Sequence, residues 1–127
     1  MERDEYLIMT NNPLVLEKLG DTHKIVYCEA SYEGLLKEVR DRVHEGHLLL
    51  SHPLSGSVKP NETPYKSVMI SEEKGAVDLR SLEIIENAVA ACGKFEFKSD
   101  RYGEKVRKDF QLIDWTLLES GIASADA

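Results

Sequence analysis

Short apolar runs that alternate with helical patterns constrain the fold more than any other feature of this sequence. Four runs, at residues 6–10, 24–28, 47–51 and 67–71, are bounded by polar or turn-forming residues. The first three are apolar almost throughout, as expected of strands that have helices on both faces. We therefore predict an α/β fold, a three-layer α/β/α sandwich around a mostly parallel four-stranded sheet. Its Rossmann-like order is β-α-β-α-β-loop-β-α-α, and the fourth strand, which no helix precedes, could instead be antiparallel at an edge.

Helix-capping residues and apolar periodicity predict four helices between and after these runs. Asn12 and Pro13 suit the N-cap and first position of one helix, and Ser31 suits the N-cap of a helix over 32–45. Asp78 or Ser81 is predicted to cap a third helix, and Ser99 or Asp100 a fourth. The fourth helix has an apolar stripe at spacings of 4, 3 and 4, and residues 121–127 are expected to fray. The stripe consists of Val106, Phe110, Ile113 and Leu117.

Length and charge exclude several classes of protein. The 127 residues fit one α/β domain, residues 1–127, which needs no disulfide, metal or cofactor to fold. Sixteen basic against 23 acidic residues give a net charge of −7, which disfavours nucleic acid or an anionic membrane as a partner. Cys28 and Cys92 lie within apolar runs, as buried, reduced cysteines do. An acidic N-terminus and no apolar stretch of about 18 residues predict a cytoplasmic protein.

The connection over residues 51–67 is long, polar and contains three of the four prolines. Connections of this length without secondary structure are uncommon and are usually functional or disordered. Ligands of open α/β sheets bind beyond the carboxyl ends of the strands. Polar residues 10–12 follow the first run, and the long connection follows the third. If those two strands are neighbours, in the order 2-1-3, both segments line one crevice.

These two segments predict a site for a phosphate or carboxylate. The Ser-Gly-Ser sequence offers hydroxyls and backbone N–H groups, two lysines add positive charge, and Asn12 begins a helix. The predicted ligand-binding residues are Thr10, Asn11, Asn12, His52, Ser55, Gly56, Ser57, Lys59, Asn61 and Lys66. Neither a Walker A loop nor a dinucleotide fingerprint is present. The alternative interpretation is that these residues simply form turns.

His52 is the candidate acid–base residue, because it is the first residue of the loop after a strand. Ser55 or Ser57 could be its nucleophilic partner, but no Gly-x-Ser-x-Gly elbow is present. Alternatively, His52 orders the loop through a hydrogen bond. His44 and His47 fall on different elements, so no metal site is predicted. Four residues of the last helix could form a partner surface, and these residues are Asp109, Asp114, Trp115 and Glu119. Alternatively, Trp115 packs half into the core with its N–H at the rim, and the acidic residues belong to an ordinary solvated face.

Several strings of the sequence resemble the GrdX family over about residues 7–118. They are His52-Pro-Leu-Ser-Gly-Ser-Val-Lys-Pro-Asn-Glu-Thr-Pro-Tyr-Lys-Ser67, Thr10-Asn-Asn-Pro13, Ser81-Leu-Glu-Ile-Ile-Glu86 and Asp109-Phe-Gln-Leu-Ile-Asp114. The resemblance implies a cytoplasmic accessory protein of the glycine, sarcosine and betaine reductase system of anaerobic, amino-acid-fermenting bacteria. Reductase-complex subunits would then be partners, and no catalytic residues are implied. Two alternatives are a small enzyme acting on a phosphorylated or carboxylated metabolite, and a dimer module that uses the last two helices.

Overall fold

A computed structural model describes residues 1–55, 62–94 and 101–127 of the chain. Within them, three strands alternate with helices before a pair of helices ends the chain. The elements are β1 (Tyr6–Thr10), α1 (Pro13–Leu19), β2 (Ile25–Tyr27), α2 (Tyr32–His44), β3 (Ser67–Ser71), α3 (Leu79–Cys92) and α4 (Glu104–Asp126). Ser99 and Asp100, which were predicted to open the last helix, lie outside the described residues.

The described sheet is small and mixed, with the strand order β2-β1-β3. β1 and β2 are parallel, and Ile8 lies opposite Ile25. β1 and β3 are antiparallel, and Thr10 lies opposite Ser67. The prediction of a mostly parallel four-stranded sheet in Rossmann-like order was therefore wrong. The neighbours of β1 are β2 and β3, so the assumption that the third apolar run lies beside it was also wrong.

The third apolar run, residues 47–51, lies along the outer edge of β3 but forms only an isolated bridge, between Leu49 and Ile70. Two backbone hydrogen bonds flank this bridge, from Leu50 N to Met69 O at 2.8 Å and from Ser71 N to Leu48 O at 2.9 Å, whereas side-chain hydroxyls accept the neighbouring N–H groups. Leu48 N donates to Ser71 Oγ at 2.8 Å, and Leu49 N donates to Ser81 Oγ at 3.1 Å. Because a strand ladder requires backbone partners on both chains, the bond from Leu48 N to a side chain limits the pairing to this one bridge.

Two helices pack against each face of the sheet. Alternate side chains of a strand point to opposite faces, and β1 and β3 each divide their apolar residues in this way. The cluster with α1 and α4 contains Tyr6, Ile8, Val15, Leu19, Met69 and Leu118. The cluster with α2 and α3 includes Met9, Leu35, Leu36, Val39, Val43, Val68, Ile70, Ile85, Ala88 and Cys92.

Three of the predicted helix caps are confirmed. Asn12 Oδ1 accepts a hydrogen bond from Leu14 N at 3.0 Å at the start of α1. Ser31 Oγ accepts from Gly34 N at 3.0 Å at the start of α2. At the start of α3, the cap is Asp78 rather than Ser81. Each bond satisfies a backbone N–H that has no partner within its helix, which fixes where the helix begins.

The predicted fraying of the last helix was wrong, and its predicted apolar stripe is not the side that packs on the sheet. α4 buries Asp114 and Leu118, whereas Ile113 and Leu117 of the predicted apolar stripe stay exposed. The helix also continues to Asp126 instead of fraying after residue 120. Its last turn is held by the protein body, since the hydroxyl of Tyr6 donates to the Asp126 carboxylate at 3.1 Å. This orientation places a carboxylate at the start of β3.

Candidate functional site

The two predicted segments meet at one end of the sheet, for a reason that differs from the predicted one. β3 runs antiparallel to β1, so β3 begins beside the residue at which β1 ends. The hydroxyls of Thr10 and Ser67 lie 2.7 Å apart. One residue further along, Asn11 N donates to Lys66 O at 3.4 Å. The end of the long connection therefore contacts residues 10–12 through β3, and not through the third apolar run.

The centre of this cluster is the carboxylate of Asp114, which is 5% exposed. Its Oδ1 accepts from Ser67 N at 3.0 Å, and its Oδ2 accepts from Ser67 Oγ at 2.7 Å and Asn12 Nδ2 at 3.0 Å. Since Ser67 Oγ gives its one proton to Asp114, Thr10 must donate to Ser67. Burial raises the pKa of Asp114, and the bonds from Asn12 and Ser67 and the charge of Lys66 oppose this rise.

Asn11 uses its side-chain amide to tie the long connection to the sheet. Its Nδ2 donates to Ala30 O at 2.9 Å and to Pro64 O at 2.8 Å, and its Oδ1 accepts from Lys66 N at 2.9 Å. Asn12 uses both ends of its amide as well, for the α1 cap and for α4. Both residues thus have a structural role in holding the site together. Their predicted contact with a ligand stays a prediction.

Lys66 is the buried cation of the cluster, with 4% of its surface exposed. Its Nζ donates to Ser55 O at 3.1 Å and to Ser55 Oγ at 3.0 Å. Burial lowers the pKa of Lys66, because desolvation disfavours the charged ammonium, and the nearby Asp114 carboxylate opposes this effect. The contact fixes the first part of the long connection against the start of β3, with Ser55 itself exposed at the surface.

His52 lies in the turn that Lys66 holds. Leu54 N donates to His52 Nδ1 at 3.0 Å, and Ser55 N donates to His52 O at 3.1 Å. Because Nδ1 is the acceptor, the proton of the neutral ring is on Nε2. The ring is exposed, and its role as an acid–base residue stays a prediction. The other predicted site residues, Gly56, Ser57, Lys59 and Asn61, lie outside the described residues.

Two cavities of about 20 Å³ each lie next to Lys66 and Asp114 and are bounded by described residues. One is bounded by Tyr32, Tyr65 and one side of α4, and the other by Ser51 and Gly121. A space of this size holds one water molecule. The described polar groups therefore converge on cavities that each have room for one water molecule.

A much larger cavity, of about 640 Å³, lies at the opposite end of the sheet. Its lining residues include four acidic residues and one lysine, namely Asp4, Glu5, Glu72, Glu73 and Lys74. None of the predicted site residues that the structure describes is among its lining residues. Because this negative lining disfavours a phosphate or carboxylate ligand, size alone does not make it the predicted anion site.

Histidine chemistry in the described ranges is confined to isolated side chains. His47 is buried, with Nδ1 2.6 Å from Ser71 O and no hydrogen-bond partner at Nε2. His44 Nε2 lies 3.7 Å from Glu86 on α3. Among residues 1–55, 62–94 and 101–127, no group of three or more His, Cys, Asp or Glu side chains is placed to hold a metal ion.

Sequence reasoning noted Asp114 on the last helix but did not place it in the site. A signal was present, because Asp114, Leu118, Ile122 and Ala125 recur at spacings of 4, 4 and 3. That second stripe is the one that faces the sheet and α1. It was outweighed by the neighbouring stripe, whose members are all apolar, and by the expectation that the helix frays after residue 120.

The fold and the site define a small α/β protein with a mixed sheet and a buried polar cluster where the long connection enters β3. The chain belongs to the GrdX-like protein family, whose model matches residues 7–123. Comparisons with curated proteins and with solved structures find no match. In the part of the chain that the structure describes, no helix is both long and apolar enough to cross a membrane.

Proposed function

We propose that this protein is a non-catalytic accessory protein of the glycine, sarcosine and betaine reductase system and binds a small anion at Lys66. The family supports the first part of the proposal, through the reductase association that its name implies. The observation that supports the second part is the buried ammonium of Lys66, held against an exposed turn.

Among the described residues, the hydrogen bonding of Lys66 leaves capacity for a ligand. An ammonium has three donors, and the two bonds to Ser55 use two of them. A ligand oxygen can accept from the third N–H and can also replace the Ser55 hydroxyl. Since burial lowers the pKa of Lys66, a bound anion would favour its charged form and would be held more strongly than at an exposed lysine.

The size of the site limits which ligand fits. Because the adjoining cavities hold one water molecule each, only the carboxylate or phosphate end of a ligand can reach Lys66. The turn at residues 52–55 must move outward to admit it. The rest of the molecule would then lie along the long connection, where sequence analysis places further polar side chains. Glycine, sarcosine, betaine and acyl phosphates all have such an anionic end.

Thermal denaturation with added ligand tests the binding proposal. Glycine, sarcosine, betaine, acetyl phosphate and inorganic phosphate should be compared at matched ionic strength. A ligand at 100 times its dissociation constant stabilises the fold by about 2.7 kcal/mol. Lys66→Met should abolish that stabilisation and Lys66→Arg should retain part of it, whereas the exposed control Lys18→Met should behave as the unaltered protein. Equal stabilisation of Lys66→Met and the unaltered chain would refute the site.

Association with the reductase needs a separate measurement. Purified reductase subunits, titrated against the protein in the presence and absence of the stabilising ligand, should give a saturable complex. No complex with any subunit under both conditions would remove the accessory role while leaving the ligand site intact.

A second candidate function is a small enzyme in which Ser55 is the nucleophile. The observation that favours it is the 3.0 Å contact between Ser55 Oγ and the Lys66 amine, since burial lowers the pKa of that amine. A neutral lysine beside a serine hydroxyl is the activating pair of Ser–Lys enzymes. A fluorophosphonate reagent should then label the protein covalently at Ser55 and fail to label Ser55→Ala. Absence of labelling of the unaltered protein would exclude this candidate.

A further inference from the structure

The long helix α4 has an apolar stripe that the described part of the fold leaves uncovered. Its members, Val106, Phe110, Ile113 and Leu117, follow the 4-3-4 spacing of a coiled-coil seam. Val106 is 41% exposed, Ile113 44% and Leu117 38%, and Phe110 is half-buried. Single exposed apolar residues are ordinary, but four at seam spacing on one helix form a continuous apolar surface.

This stripe is separate from the side of α4 that packs on the sheet. α4 buries Asp114 and Leu118, and Ile113 and Leu117 lie one residue before them. At about 100° per residue, the stripe therefore faces roughly a quarter turn away from the core-facing side. The stripe from Phe110 to Leu117 forms one wall of a groove whose opposite wall includes Tyr32 and Tyr65. Lys66 and Asp114 are also among the groove residues.

Charge is distributed unevenly along the same helix. The first residues of α4, 104–109, contain three basic side chains and two acidic side chains, three minus two giving +1, in a chain whose net charge is −7. The exposed charged residues of the second half of α4, Glu119 and Asp126, are both acidic. Two such helices side by side attract each other when antiparallel, because each basic end then meets an acidic end. A parallel pair would place the two basic ends together.

We propose that two copies of this chain associate through α4, stripe against stripe and antiparallel. The twofold axis would pass between Phe110 and Ile113, which pairs Val106 of one copy with Leu117 of its partner. Such an interface is isologous and closed, as in most homodimers. Because the stripe is a wall of the groove above Lys66, the second copy would cover the groove. This proposal does not depend on the ligand proposed above, and each can fail separately.

The mass in solution tests the interface. At concentrations of tens of micromolar, multi-angle light scattering should give twice the 14.3 kDa mass of the chain. The double substitution Ile113→Asp/Leu117→Asp should return it to the monomer mass with an unchanged circular dichroism spectrum. Leu112→Asp is the matched control on the other side of α4, and Leu79→Asp is the control on α3, since these residues are 56% and 77% exposed. Both controls should remain dimeric.

A monomeric unaltered protein would overturn the proposal, and so would a dimer that survives the double substitution. If the double aspartate variant does not fold, the milder double substitution Ile113→Ser/Leu117→Ser takes its place. This variant should weaken dimerisation by tenfold or more. A dimer as tight as that of the unaltered chain in this milder pair also overturns it.

The antiparallel arrangement has its own measurement. A spin label on a cysteine introduced by Lys105→Cys should report a distance to the partner's label of about 20 Å or more along the helices, at 1.5 Å per residue. A parallel pair would place the two positions about 10 Å apart, at the ordinary interaxial distance, and would refute the arrangement. Cys28 and Cys92 are buried, so labelling of the folded protein is directed to residue 105.

Discussion

Removing the carboxylate of Asp114 should destabilise the fold at the point where the long connection enters the sheet. We consider the substitution Asp114→Ala. Asp114 accepts three hydrogen bonds, from Ser67 N, Ser67 Oγ and Asn12 Nδ2, all within the protein. Alanine accepts none of them, so the effect depends on what each donor does next.

The three donors are not equally dependent on Asp114. Asn12 Nδ2 keeps a bond to Gln111 O at 2.9 Å, and Ser67 Oγ keeps Thr10 Oγ1 at 2.7 Å. Each loses a bond worth about 0.5–1.5 kcal/mol. Ser67 N has no second acceptor among the described residues, and a buried unsatisfied N–H costs about 1–3 kcal/mol. Relief of the buried charge, indicated by the raised pKa of Asp114, offsets part of this loss. The expected destabilisation is about 2–4 kcal/mol.

Urea denaturation at neutral pH, followed by circular dichroism of the helices, measures this change. Asp109→Ala is the matched control, because Asp109 is an exposed carboxylate on the same helix and its loss should change the free energy of unfolding by no more than about 0.5 kcal/mol. If Asp114→Ala were as stable as Asp109→Ala, the carboxylate would not be holding β3, and the description of the site would be wrong.

Three further predictions concern the backbone, pH and thiols. Gly46→Ala should destabilise the fold by more than about 1 kcal/mol, because φ is +110° and a Cβ would meet Gly75 O, whereas Gly75→Ala, which has open space, should be near neutral in the same urea measurement. Burial raises the pKa of the Asp114 carboxyl in the folded protein above its unfolded value of 3.8, so the folded chain binds the proton more tightly than the unfolded chain. The contribution of Asp114 to the free energy of unfolding therefore decreases as pH rises from the unfolded pKa to the folded pKa. Asp114→Asn removes this dependence, so its deficit in urea stability relative to the unaltered protein should grow as pH falls, and a deficit that shrinks would contradict the assignment. Burial raises the pKa of both Cys28 and Cys92 to about 11, so a thiol reagent at pH 8 should react with neither in the folded protein and with both in urea.

Local features of the fold could be predicted from the sequence because local interactions determine them. β1 and β3 have the predicted bounds, 6–10 and 67–71. The caps at Asn12 and Ser31 depend on a backbone N–H two or three residues away, so the sequence contains both partners. The sheet order depends instead on which distant segments pair, and no local pattern specifies that.

The third apolar run shows why the strand count was wrong. Its composition is that of a strand, and it does lie along β3. Two backbone hydrogen bonds flank its one bridge, but the N–H of Leu48 donates to the hydroxyl of Ser71, more than 20 residues away in sequence, instead of to a backbone carbonyl. The same kind of substitution occurs at Met69, whose N–H donates to Ser51 Oγ at 2.9 Å. A hydrophobic pattern identifies apolar faces, but it does not predict hydrogen bonds between backbone N–H groups and distant serine hydroxyls.

The proximity of residues 10–12 to the long connection was predicted, but the reason for it was wrong. Residues 10–12 and the long connection were placed together on the assumption of a parallel third strand, yet they meet because β3 is antiparallel. Polar residues at the end of one strand and the start of an adjacent antiparallel strand always share an end of the sheet. The prediction of proximity was therefore less sensitive to topology than the prediction of the fold.

The orientation of α4 connects the site with the proposed dimer. If Ile113 and Leu117 faced the sheet, as their apolar character predicts, Asp114 would turn away from Ser67 and the outer N–H of β3 would be unsatisfied. The observed rotation satisfies that N–H, and it leaves the apolar stripe exposed. An apolar face left in water is unfavourable unless something covers it. The orientation of α4 thus has two consequences. It allows the hydrogen bond between Ser67 N and Asp114, and it exposes the surface that would pair with a second copy. Asp114→Ala should accordingly weaken the dimer, whereas the substitutions Ile113→Asp and Leu117→Asp should leave the bond between Ser67 and Asp114 in place.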